Sequence, residues 1–195
     1  MAKRHKTKQT RPGRLRIVAG KWRSRLLDIA DVPGLRPTSE RIRETLFNWL
    51  TPGIHGARCL DLFAGTGALG LEALSRGARS AIFVEKSAVA VTTLRKNCQA
   101  LAAEGALIRQ ADALNYLRET PEGPFDLVFL DPPFGADLNE ELCRLLEQRK
   151  LLSSDAQVYI EQDRVKPEPV LPSSWRVKKN ETAGSVRYML AERDD

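Results

Sequence analysis

Cysteine, histidine and aromatic side chains are scarce in this chain of 195 residues. The three cysteines, Cys59, Cys98 and Cys143, stand 39 and 45 residues apart. An odd number at those spacings fits neither a disulfide framework nor a zinc site. The two histidines, His5 and His55, have no partner at ligand spacing, so no structural metal is expected. Cys59 sits in an apolar run, where a reduced core thiol is the default. No apolar run approaches the roughly 18 residues that span a bilayer. The start, MAKRHKTKQTRPGRLRI, lacks the apolar segment of a secretory signal. A reduced cytoplasmic protein is the expectation. Apolar residues at 42% and charged residues at 29% exclude wholesale disorder and collagen. A chain of this size can bury about 70% of its unfolded surface in one core.

Acidic residues are missing from Met1 to Leu27, a stretch with ten basic ones. Residues 1–50 hold 13 Lys/Arg against 4 Asp/Glu, and residues 51–195 hold 18 against 21. The whole positive excess therefore lies in the first quarter. That asymmetry implies a polyanion partner, most simply nucleic acid.

Residues 1–12 read as a polar, basic tail. Leu15–Val18 and Trp22–Ile29, around Gly20, predict a hairpin with basic side chains on one face. Arg36-Pro37-Thr38-Ser39 predicts a loop, with Thr38 or Ser39 capping the next helix. Ile42, Leu46, Phe47, Trp49 and Leu50 form that helix's apolar stripe. From Arg58 strands and helices alternate. Strands are expected at 59–63, 80–84, 106–110, 125–130 and 157–161, with helices through Arg76 and over 87–101, 113–119 and 137–150. Residues 177–179 and 186–191 pair as a terminal antiparallel couple. The pattern predicts an α/β fold: a Rossmann-like, seven-stranded, mostly parallel sheet with helices on both faces. Residues 1–50 would be a basic RNA-binding extension and 51–195 the catalytic domain. Ligands in such sheets bind beyond the carboxyl ends of the strands.

DLFAGTGALG, from Asp61 to Gly70, places a GxGxxG pattern after a strand and at a helix start. Its glycines permit close approach of a ligand to the backbone. Glu85 ends the next strand, where a carboxylate can accept from ribose hydroxyls. The pattern is shared by dinucleotide enzymes and by users of S-adenosylmethionine. Asp61 favours the second. Like charges about 4 Å apart at an effective dielectric near 20 repel by about 4 kcal/mol, which penalises a dinucleotide's phosphates. A sulfonium and an ammonium suit that carboxylate, and the helix start at Thr66-Gly67 suits a carboxylate ligand. Asp112-Ala113, after the third strand, can hold an adenine ring, or Asp112 can serve as a helix cap.

Asp131-Pro132-Pro133-Phe134 closes the fourth strand. Two prolines leave carbonyls free and offer no N–H. Those carbonyls and the Asp131 carboxylate can hold an exocyclic amine, while Phe134 stacks on a base, a contact of about 1–3 kcal/mol. Two acceptors on the amine hydrogens aim its lone pair at a sulfonium methyl, so catalysis is mostly positioning. The residues alone do not separate guanine N2 from adenine N6. A non-catalytic RNA-binding assembly factor is the reading from another class, and a nicotinamide oxidoreductase a third.

In order, DLFAGTGALGLEALSRGA, Glu85, QADA and DPPF resemble class I S-adenosylmethionine-dependent methyltransferases. LRPTSERIRETLFNWL and the basic hairpin extend the likeness, over residues 14–192, to the RsmD-type 16S ribosomal RNA guanine-N2 methyltransferases. That resemblance implies guanine 966 as target, within the small subunit or an assembly intermediate, and a monomer. Carried over, Asp61, Phe63, Ala64, Gly65, Thr66, Gly67, Glu85, Lys86, Asp112 and Ala113 bind cofactor. Asp131, Pro132, Pro133 and Phe134 hold the base. Arg11, Arg14, Arg16, Lys21 and Arg23 are candidates for RNA phosphates. Arg36, Thr38, Arg41 and Arg43 reach RNA, line the base pocket or form surface ion pairs. Trp22 stacks on RNA or packs on the hairpin.

Overall fold

The computed structural model describes residues 13–32, 38–120, 122–133 and 135–194. Arg11, Arg36 and Phe134 lie outside the described residues. The elements are β1 (Arg14–Arg16), β2 (Leu26–Asp28), α1 (Glu40–Leu50), β3 (Arg58–Asp61), α2 (Ala68–Ser75), β4 (Ser80–Glu85), α3 (Ala88–Leu101), β5 (Ala106–Gln110), α4 (Ala113–Glu119), β6 (Phe125–Leu130), α5 (Asn139–Gln148), β7 (Leu152–Asp163), β8 (Trp175–Ala183) and β9 (Val186–Arg193). Among the described residues no helix is long and apolar enough to cross a membrane.

β1 and β2 form an antiparallel hairpin; the other strands form one seven-stranded sheet in the order β5-β4-β3-β6-β7-β9-β8. The first five are parallel and β9 and β8 are antiparallel additions. The chain winds outward from β3 to β5 and then returns to β6 on the other side of β3. The switch point is therefore between β3 and β6.

Strand periodicity sorts the core into two layers. Cys59, Phe83, Leu127, Phe129 and Tyr159 join Leu46 and Phe47 of α1, Leu71 of α2 and Leu94 of α3. The intervening Leu60, Ile82, Val128, Leu130 and Ile160 join Leu117 of α4 and Leu142 and Leu146 of α5. Cys59 is a fully buried core thiol, and that burial raises its pKa.

Several expectations change in extent: the terminal strand expected at 177–179 runs over Trp175–Ala183, and the second hairpin strand is confined to Leu26–Asp28. The fifth parallel strand runs over 152–163, because it pairs with both β6 and β9 and so continues while either neighbour lasts. The helix expected at 137–150 spans Asn139–Gln148. More consequentially, the hairpin is not an appendage. Leu15, Ile17, Trp22 and Leu27 are buried in the same cluster as α1 and α2. Trp22 packs there, with Lys21 Nζ 5.8 Å from its ring centroid.

Candidate active site

Every parallel strand delivers a carboxylate to the carboxyl edge of the sheet. In sheet order they are Asp112 just after β5, Glu85 on β4, Asp61 on β3, Asp131 after β6 and Glu161 on β7. Alternation gives four of them a common face. Glu85 follows Phe83, Asp61 follows Cys59, Asp131 follows Phe129 and Glu161 follows Tyr159, each by two residues. That face is the one covered by α1, α2 and α3.

The glycine turn is built around two of these carboxylates. Gly67 stands at φ +89°, in the left-handed region, and a Cβ there would come within 2.5 Å of Leu94 Cδ1. A Cβ on Gly70 would meet the Phe83 ring at 2.2 Å, so glycine is what allows α2 to lie on the sheet. Gly67 has no side chain with which to cap α2. Asp61 substitutes: its Oδ2 accepts from the Gly70 N–H at 3.1 Å. Burial pushes the Asp61 carboxyl up to about 7; the Gly70 N–H opposes this, the Glu85 charge adds to it and the Phe63 N–H opposes it. Glu85 bridges the turn, accepting from Gly65 N at 2.9 Å and Ser87 N at 2.7 Å. A carboxylate has about four acceptor sites, so each oxygen keeps room for a hydroxyl. Ala64 N donates to Val84 O, and Asn97 Nδ2 donates to Thr66 O at 3.0 Å. Phe63 is half-buried and Lys86 exposed. Asp112 does cap α4, accepting from Leu114 and Asn115 N–H, and remains exposed, while Ala113 is buried.

Asp131 stands across the switch point from Asp61. Thr38, just ahead of α1, donates from Oγ1 to Asp131 Oδ2 at 3.1 Å. Next to it Glu161 Oε2 accepts from the Tyr159 hydroxyl at 2.8 Å. Burial first, then the Glu161 charge, drives the Asp131 carboxyl well above its usual range, against the Thr38 hydrogen bond. A cleft of about 370 Å³ opens beside this corner, with Pro132, Pro133, Glu161, Asp163 and Lys166 among its walls. Its size is within the range of small-ligand sites.

This arrangement can bind a cationic, phosphate-free ligand over the glycine turn and hold an amine at Asp131. It matches a known sequence family. Residues 15–192 fit the profile described as Conserved hypothetical protein 95. Ribosomal RNA small subunit methyltransferase D of Escherichia coli K12 is 44% identical over 182 residues, covering 93% of this chain and 91% of that protein. Its namesake in Haemophilus influenzae is 44% identical over 181 residues, covering 91% and 93%. The solved Escherichia coli protein yhhF superposes with a TM-score of 0.87 at 41% identity, covering 93% of this chain and 99% of that one. The chain belongs to the ribosomal RNA small subunit methyltransferase D family. It is an RNA methyltransferase of class I fold.

Within this methyltransferase the basic residues separate by burial. Arg14, Arg16, Lys21, Arg23 and Arg41 are exposed, with Arg14 paired to Asp28 at 3.5 Å. Arg43 does not belong with them. It is 1% exposed, ion-pairs with Glu72 at 3.4 Å and donates to Thr38 O and Arg16 O. A guanidinium so enclosed cannot reach phosphate, and its role is to tie β1, Thr38 and α2 together. Thr38, also buried, serves Asp131 rather than RNA phosphate. Glu161, Tyr159, Glu72 and Asn97 carry the site without having been singled out in the sequence. Tyr159 and Glu161 share a strand face at spacing two, and that spacing is a signal that could have found them.

Proposed function

We propose that this enzyme methylates the exocyclic N2 amine of guanine 966 in bacterial 16S ribosomal RNA, using S-adenosylmethionine, as a cytoplasmic monomer acting on the small subunit or an assembly intermediate. One observation carries the reading: the row of carboxylates along the carboxyl edge, with Asp131 at the switch point. A row of negative charge repels a dinucleotide's phosphates and suits a sulfonium donor. The family relatives supply the ribosomal RNA substrate.

The glycine turn fits such a donor, because Asp61 and Glu85 flank it and Glu85 keeps acceptor capacity beyond its bonds from the Gly65 and Ser87 N–H groups. When bound, the donor supplies an electrophilic methyl group. Asp61 faces its cationic end and Glu85 its ribose hydroxyls. The carbonyls of Asp131 to Pro133 and the Asp131 carboxylate hold the amine hydrogens and orient the nitrogen lone pair. Exposed Arg14, Arg16, Lys21, Arg23 and Arg41 hold RNA phosphates, which position the substrate and leave the choice of base to the pocket.

The deciding experiment is methylation of purified 30S particles and of naked RNA with labelled donor, followed by nucleoside mapping. N2-methylguanine is expected. N6-methyladenine would overturn the base assignment, and donor binding without methyl transfer would favour an assembly factor.

Two further results are expected. A donor cation favours ionised Asp61, so binding should release a proton near neutral pH. With the free carboxyl at about 7, affinity should rise about fivefold from pH 6 to pH 7. Calorimetry in buffers of different ionisation enthalpy measures both; a flat profile would remove Asp61 from the cation's environment. Separately, replacing Lys21 and Arg23 by glutamine should reduce the salt dependence of particle binding, by about 0.7–0.9 in log–log slope for each phosphate that these side chains neutralise. A binding titration across a salt series with unchanged slope would place the RNA footprint elsewhere. Point replacements are the proper test, because deleting residues 1–25 would also remove Ile17 and Trp22 from the core.

A further inference from the structure

We propose that Glu161 is a positioning residue of the methyl-transfer site, acting through Asp131 and sharing with it the proton that the methylated amine releases. The inference rests on reading Asp131 as the amine's partner.

The geometry is local. Leu130 of β6 and Ile160 of β7 are direct neighbours in the parallel register. The next residue on each strand is therefore Asp131 and Glu161, side by side and on one face of the sheet. Glu161 is 4% exposed and Asp131 half-buried, so Asp131 meets the substrate and Glu161 stands behind it. Glu161 is held on several sides. The Tyr159 hydroxyl donates to its carboxylate at 2.8 Å, and Asn139 Nδ2 donates to its main-chain carbonyl at 3.2 Å.

The groups facing the pair are Asp61 from β3, Tyr159 from β7, Tyr188 from β9 and Thr38 from the segment before α1. The Tyr188 hydroxyl is turned away, donating to Glu181 at 3.0 Å. Among the described residues the charges acting on Asp131 are those of Glu161 and Asp61, both negative. Of the cations close by among the described residues, Arg43, which donates to the Thr38 carbonyl, is taken up by Glu72, and Lys166, on the wall of the cleft, by Asp137. Among the described residues no cation pairs with either carboxylate, and two adjoining carboxylates of this kind resist being ionised together. Burial and mutual repulsion accordingly raise Asp131, and burial raises Glu161 against its two hydroxyl donors. The first proton to reach the ionised pair is therefore held more tightly than by a lone carboxylate, and it is shared between the two.

The reaction uses that affinity. The amine lone pair forms the N–C bond as the S–C bond breaks with its electron pair left on sulfur. Nitrogen is then left with one proton too many. Asp131 receives that proton, and the pair passes from two negative charges to one, shared between the carboxylates. Water takes the proton when the product leaves. A lone exposed aspartate, with a pKa of about 3.9, would be a far weaker acceptor; burial and the ionised neighbour together make Asp131 basic enough to matter.

The test is the pH–rate profile of single-turnover methyl transfer to 30S particles by wild type, E161Q and Y159F. E161Q removes the like charge but leaves an amide oxygen to accept from Tyr159. Its acid limb should move down by about one pH unit, and its rate at neutral pH should fall about tenfold or more. Particle KM and donor affinity should stay within about twofold. Y159F removes a donor that stabilises the Glu161 charge, so its acid limb should move up. Opposite displacements are a result that a purely structural role does not produce. Limbs that coincide with wild type, or that move together, would overturn the proposal. Should E161Q fail to fold, the direction of the Y159F limb decides alone. Failure of the underlying reading is a separate result: D131A would then methylate at the wild-type rate.

Discussion

Replacing Asp131 by alanine should reduce methylation by about 10²–10³-fold or more, the effect of removing one preorganised polar partner of a reacting group. Donor affinity should stay within a few-fold, since Asp61 and Glu85 flank the glycine turn and Asp131 lies across the switch point. Stability should not fall in proportion to activity. The Asp131 carboxyl is raised by burial and by Glu161, so its ionised form costs stability at neutral pH. A raised carboxyl contributes fully below its unfolded value, and that contribution is lost as pH rises through the folded value. Removing it therefore relieves repulsion at pH 7 and above. The relief is offset by the loss of the Thr38 hydrogen bond, worth about 0.5–1.5 kcal/mol. Single-turnover methylation, donor calorimetry and a thermal melt on one preparation separate the effects. Loss of donor binding with RNA binding intact would mean that the roles of Asp131 and the glycine turn are reversed.

Local pattern made most of this site readable. The glycine turn, the prolines after Asp131 and the acidic strand ends all follow from residues adjacent in sequence. So do the hairpin, the Ser39 cap on α1 and the order of strands and helices. The connections between those pieces were not readable. Glu72 accepts from Val18 and Ala19, more than fifty residues away, and no local spacing announces such a pairing. Arg43 is instructive because a signal did exist. It lies three, four and seven residues before Leu46, Phe47 and Leu50, within the apolar stripe, where a solvated arginine has no place. Most of its neighbours in RPTSERIR are charged or polar, and composition outweighed periodicity. Glu72 shows the same conflict: it is the one charge in ALGLEALS, a helix buried on every side. A charge on a buried face needs a partner, and these two residues are each other's.

That pairing leads to the largest stability effect. Glu72 is fully buried, and its carboxylate accepts from Val18 N at 2.8 Å, Ala19 N at 3.0 Å, Arg76 Nε at 2.8 Å and Arg43 Nη1 at 3.4 Å. Ser75, one turn on, accepts from Trp22 N and donates to Ala19 O. Asn97 of α3 holds both backbone groups of Asp28 and also the Thr66 carbonyl. The basic hairpin and the glycine turn are thus fastened to the same helices. Changing Glu72 to glutamine keeps the shape and removes the charge. The amide NH2 then faces N–H donors, and Arg43, whose pKa burial already lowers against the opposing Glu72 charge, is left as a buried cation without its counter-ion. Breaking one side of a buried pair costs about 3–5 kcal/mol, a large share of the roughly 5–15 kcal/mol that holds a domain folded. The double variant with Arg43 replaced by methionine should recover part of that loss, because the stranded charge is gone while the stem's packing volume is kept. Ser75→Ala should cost only about 1 kcal/mol. Urea unfolding of the three variants is the measurement. A loss below about 1 kcal/mol for Glu72→Gln, or no recovery in the double variant, would mean that the hairpin is held by its apolar residues and that the charge at its base is incidental.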